Sequence, residues 1–100
     1  MDPDLPDFTI ADVVISAAGR DKGKLFYVLE ADDVWLTLVN GKDRSIEKPK
    51  RKKSKHTRKV LRSETRVAAK IRNGDKVLNS ELRRDLAYWS RELQSNNLGG

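Results

Sequence analysis

Between Val13 and Gly41 the chain reads VVISAAGRDKGKLFYVLEADDVWLTLVNG, in which short apolar runs are cut by sharp turn signals, and this stretch limits what the rest can fold into. Val13, Ile15, Leu25, Tyr27, Leu29, Val34, Leu36 and Leu38 recur at every second position within their runs. That period puts one face of a strand on a core, so each run is predicted to be a strand. The turns differ chemically. Gly19-Arg20-Asp21-Lys22-Gly23 has a glycine at each end, which permits φ > 0 or a close backbone approach there. Asp32-Asp33 separates the second run from the third as turn residues, and Asn40-Gly41 is the dipeptide best suited to a tight hairpin.

After Val60 the period becomes helical. Glu64 to Arg72, with Val67, Ala68 and Ile71 on one face, predicts a short helix capped by Ser63 and stopped by Asn73-Gly74. A second helix is predicted from about Glu81 to Leu93, capped by Asn79 or Ser80. Its stripe of Leu82, Leu86, Trp89 and Leu93 has to face the strands or another chain. At the other end, Met1 to Asp7 has no periodicity and reads as a loose arm, with Phe8 and Ile10 pinning its end and Asp12 starting the first strand.

Charge is sharply segregated. Residues 1–47 hold 5 Lys and Arg against 10 Asp and Glu, residues 48–59 hold 8 against none, and residues 60–100 hold 8 against 5, which sum to the net +6. Lys48, Lys50, Arg51, Lys52, Lys53, Lys55, Arg58 and Lys59 therefore form one stripe with no acid inside it. Such a run repels itself and is expected to stay extended or disordered until an anion compensates it. A sequence pI near 9.8 points to a polyanionic partner and carries no information about fold.

The β-branched residues, then Gly19, Lys22 and Gly23, then a second apolar strand resemble the KOW motif of ribosomal proteins and of transcription and translation factors. The likeness covers roughly residues 12–48. One departure is Leu25-Phe26-Tyr27, where many such motifs carry another glycine. The segment from Glu47 to His56 narrows the likeness to small bacterial relatives of the eukaryotic-type large-subunit ribosomal proteins, which have a single KOW domain followed by a basic strand. What the resemblance implies is a small Src-homology-3-like barrel whose loops touch RNA, with ribosomal RNA or another structured RNA as partner and ribosomal proteins as neighbours.

The expected fold is mainly β with C-terminal α. An N-terminal arm (1–11) precedes a KOW-type barrel (12–48), a basic segment (49–59) and an annex of two short helices (60–100) packed on the barrel. A chain of 100 residues makes one domain, and a barrel of about fifty buries little, so the second half is expected to share its core.

The residues expected to meet RNA are Arg20, Lys22 and Lys24 around the glycine turn, with Lys48, Lys50, Arg51, Lys52, Lys53, Lys55, His56, Arg58 and Lys59. Lys and Arg release counterions from phosphates, while an imidazole stacks or donates to phosphate. The plain alternatives are a solvated charge run, a localisation signal or an ordinary hairpin loop. Trp35 alternates with inward residues and either stacks on an unpaired base or receives the second helix, the latter being favoured in so small a domain. Tyr88 lies off the apolar stripe with Arg84 and Arg91.

No catalytic or metal-binding constellation is legible, and no cofactor or small-molecule substrate is expected. His56, the one histidine, has cationic neighbours that discourage both protonation and metal binding. The glycine turn is not a nucleotide-binding P-loop: Gly19 and Gly23 are one residue too close, and Leu25 stands where a Ser or Thr has to hold magnesium. Absence of cysteine excludes disulfides. No apolar run approaches the ~20 residues that cross a bilayer. The acidic N-terminus is unlike a signal peptide, so a cytoplasmic, non-membrane location is expected. A non-enzymatic RNA-binding protein is therefore the first expectation. The alternative is a protein-binding module that uses Trp35 and the helix stripe as interface and the basic run as tether.

Overall fold

The computed structural model describes residues 8–99, with side chains through residue 95. The apolar runs become β1 (Asp12–Ser16), β2 (Leu25–Ala31) and β3 (Trp35–Val39). The basic run supplies β4 (Lys50–Lys53), a three-residue 3-10 turn (Ser54–His56) and β5 (Thr57–Arg62). All five strands belong to one antiparallel sheet in the order β4-β3-β2-β1-β5, followed by helices α1 (Arg66–Asn73) and α2 (Asn79–Gly99). The mainly β, C-terminally α class read from the sequence is the class that forms. The sheet is open: among the described residues no ladder joins β4 to β5, although the 3-10 turn makes these edge strands consecutive in the chain.

Alternation describes only part of the packing, because the sheet is buried on both faces. Val13, Tyr27 and Val39 lie side by side across β1, β2 and β3 and pack with Ala68, Ile71, Leu82 and Leu86 of the helices. Val14, Phe26, Val28, Leu36 and Leu38 fill the opposite face, with Phe8 packed against them. A fully buried strand shows a continuous apolar run, as in Leu25–Leu29, in place of strict alternation. Each such side chain contributes about 1.5–3 kcal/mol. Val34, expected to point inward, is 51% exposed at the β2–β3 turn. Register shifts between Val13 and Val14 and between Val28 and Glu30 mark bulges, which bend strands and increase their twist.

The helices differ from expectation at their ends. Thr65, not Ser63, caps α1, its hydroxyl accepting from Ala68 N–H at 3.2 Å; Gly74 closes it at φ 73. Ser63 is buried instead, bonded to the Tyr27 hydroxyl at 2.9 Å. At 21 residues α2 is not short, and Asn79 opens it without serving as its side-chain cap. Its carboxamide accepts from Ile46 N–H at 2.9 Å and donates to Glu47 at 3.0 Å, which clamps the β3–β4 connection onto the helix. That connection spans residues 40–49, so Asn40-Gly41 begins a long loop and not a tight hairpin. Gly41 approaches α2 so closely that an added Cβ would lie 2.3 Å from the Asn79 carbonyl oxygen.

One polar network crosses this core. The Tyr27 hydroxyl donates to Asp85 of α2 and accepts from Trp89 Nε1 at 3.1 Å, while Thr65 Oγ1 donates to Asp85 at 2.8 Å. Burial, and next the Asp85 carboxylate, push the phenol of Tyr27 above its ordinary pKa, so it stays a donor at neutral pH. The expected arm over residues 1–7 lies outside the described residues. No helix among the described residues is long and apolar enough to cross a membrane.

Candidate nucleic-acid interface

The basic run is folded where charge repulsion predicts an open chain. Two buried carboxylates explain the difference. Asp21, 3% exposed, lies between Gly19 at φ 80 and Gly23 at φ 89. It meets Lys50 Nζ at 2.7 Å, Arg44 at 3.5 Å and Lys24 at 3.9 Å. The Lys50 hydrogen bond is the main reason its carboxyl sits below the ordinary value, against the opposing effect of burial. Asp12, fully buried, accepts from Thr9 N–H at 2.7 Å and pairs with Lys59 at 3.3 Å. The acidic first half of the chain thus supplies the counter-charges of the basic block.

The structure brings the glycine turn and the basic run together. Lys52, 9% exposed, points inward and donates to the Ala18 carbonyl at 2.7 Å. Ala17 N–H donates to the His56 carbonyl at 2.9 Å, which ties the 3-10 turn to the end of β1. Around this junction Arg20, Lys22, Lys55, His56 and Arg58 are exposed, as are Lys48 and Arg51 elsewhere on the run.

Several of the expected RNA contacts already have intramolecular work. Lys24 pairs with Asp43 at 2.6 Å, which raises its pKa, and Lys50, Lys52 and Lys59 are engaged as described. Sequence reasoning missed Asp12, Asp21 and Asp43 as the partners. The available signal was the excess of acid before residue 48, together with one acid between the two glycines.

Trp35, favoured as the residue that receives the second helix, is half-buried and meets side chains of β4. Trp89 of α2 reaches the sheet at Tyr27 of β2, whereas Trp35 lies on the same sheet face in β3, next to β4. Arg51 Cζ stands 5.0 Å and Lys53 Nζ 5.6 Å from its ring centroid, both within cation–π range. The reason is register: Trp35 pairs with Lys53 and Thr37 with Arg51, so the long β4 side chains lie across the indole. The preceding turn is rigidly tied, since Asp32 Oδ1 accepts from Val34 N–H at 2.8 Å and Trp35 N–H at 2.7 Å. These bonds hold the Asp32 carboxyl below its ordinary pKa.

A separate cleft of about 770 Å³ lies between the glycine turn and α2, bordered by Lys24, Asn40, Lys42, Asp43, Arg83 and Leu86. Arg83 donates to the Gly41 carbonyl at 2.6 Å, so it braces the β3–β4 loop. Among the described residues no three His, Cys, Asp or Glu side chains converge as a metal ion requires. Comparison with protein-family models and with curated proteins finds no match to this chain.

Proposed function

We propose that the chain is a non-enzymatic, cytoplasmic RNA-binding protein of the KOW type, docking on ribosomal or similarly structured RNA. The single observation that supports this is the junction of the glycine turn with the basic 3-10 turn. Hydrogen bonds from Ala17 N–H to the His56 carbonyl and from Lys52 Nζ to the Ala18 carbonyl gather Arg20, Lys22, Lys55, His56 and Arg58 at one end of the sheet. A rigid cluster of exposed cations loses little entropy on meeting phosphates and gains from the counterions it releases. The Src-homology-3-like barrel belongs to the same proposal: a five-stranded bent sheet whose edges are joined by a three-residue turn has one gap left to close. A-form RNA offers phosphates and 2′-hydroxyls more readily than base edges, so the cation cluster reads shape over sequence.

Filter binding to ribosomal RNA over a salt series tests this. Affinity is expected to fall steeply with salt, with a log–log slope of roughly −0.7 to −0.9 for each phosphate contact. A flat response removes the proposal.

A further inference from the structure

We infer that the hollow beside Trp35 takes one unpaired nucleotide of an RNA, its base stacked on the indole and its phosphate held by Arg51 and Lys53. This rests on the RNA-binding reading and adds a contact that shape recognition lacks. The hollow measures about 510 Å³ and is bordered by Ile10, Glu30, Asp32, Trp35, Thr37 and Arg51. One wall is the half-buried ring of Trp35, and the carboxylates of Glu30 and Asp32 border the same hollow.

Charge selects the occupant. A cationic peptide side chain drawn to the indole would meet Arg51 and Lys53 already beside it. A nucleotide uses both components: the base takes the ring face while the guanidinium and ammonium turn to its phosphate. Glu30 lies across β3 from Arg51 and, with Asp32, borders the hollow and repels phosphate, so the phosphate goes toward β4 and the base toward the β2–β3 turn. Those carboxylates accept hydrogen bonds, so a base with an exocyclic amino group fits better than uracil. The backbone that carries Trp35 is fixed by the Asp32 bonds to the main-chain N–H groups of Val34 and Trp35. A continuous duplex keeps its base faces stacked and cannot supply the contact.

The test compares three RNA hairpins by fluorescence anisotropy: fully paired, with one bulged A, and with one bulged U. Stacking of one base corresponds to about 5- to 150-fold in affinity, so the bulged-A hairpin is expected to bind at least about fivefold tighter than the paired one. The bulged-U hairpin should fall between them. Trp35→Ala is expected to abolish the difference while leaving binding to the paired hairpin and its salt slope in place, and Trp35→Phe to retain part of it. Equal wild-type affinities for the paired and bulged-A hairpins overturn the inference, and that comparison needs no variant to fold. A preference that survives in folded Trp35→Ala overturns it as well. Salt-dependent binding without preference sinks only the nucleotide site, whereas no binding to any hairpin sinks the RNA reading too.

Discussion

Asp21 sits between two left-handed glycines with its carboxylate among three cations, and its ionisation is tied to folding. A carboxyl whose folded pKa lies below its unfolded value stabilises the fold above that unfolded value, and the contribution is lost as pH falls through the folded one. Asp21 is depressed from 3.8, so its share disappears below about pH 4. Asp21→Asn is expected to cost about 1–3 kcal/mol at neutral pH and to flatten the acid limb of a melting-temperature profile. An unchanged acid limb would show that the other depressed carboxyls, Asp43 and Glu81 among them, carry it. Glycines offer a paired test at the same scale. Gly41→Ala meets both φ 77 and a carbonyl oxygen 2.3 Å away, whereas Gly23→Ala meets strain at φ 89 with no atom within 4 Å. Urea denaturation should show about 1–2 kcal/mol lost for Gly23→Ala and clearly more for Gly41→Ala.

Helix α2 is held to the sheet by two different interactions, and they are separable. Leu82 is fully buried against the strands, and Leu82→Ala is expected to cost about 2–5 kcal/mol through lost burial and the cavity left behind. Tyr27→Phe keeps the ring but removes the hydroxyl shared by Ser63, Asp85 and Trp89. Partners left without it should cost about 1–3 kcal/mol, read from the shift in denaturation midpoint. β4 and β5 show a second use of charge at this scale. Lysines on edge strands discourage sheet-to-sheet association, so part of the basic run serves solubility whatever it binds.

Across the whole molecule the segregated charge of the sequence is partly neutralised and partly displayed. Lys50 and Lys59 meet the acids of the first half, while Arg20, Lys22, Lys55 and Arg58 remain exposed around one junction. Changing those last four to Ala should leave the fold's melting temperature nearly unaltered, since they lie on the surface. If each meets a phosphate, the log–log salt slope for RNA should lose roughly 3, at 0.7–0.9 per contact. An unaltered slope would move the interface elsewhere on the surface.

What the sequence determined by itself is local: three apolar strands, the stops at Gly74 and the β2–β3 aspartates, an amphipathic α2 and the separation of charge. Periodicity, turn chemistry and charge count act over a few neighbouring residues, so they are legible in one dimension. Tertiary structure alone decided that the sheet is covered on both faces, that the basic run becomes its two edges, and that Trp89 of α2 bonds to Tyr27 of β2 while Trp35 meets the side chains of β4. Those outcomes depend on Asp12 meeting Lys59, Asp21 meeting Lys50, and Trp35 falling in register with Lys53. Such partners lie 18 to 47 residues apart and are chosen by the packing of the whole chain, which no local pattern encodes.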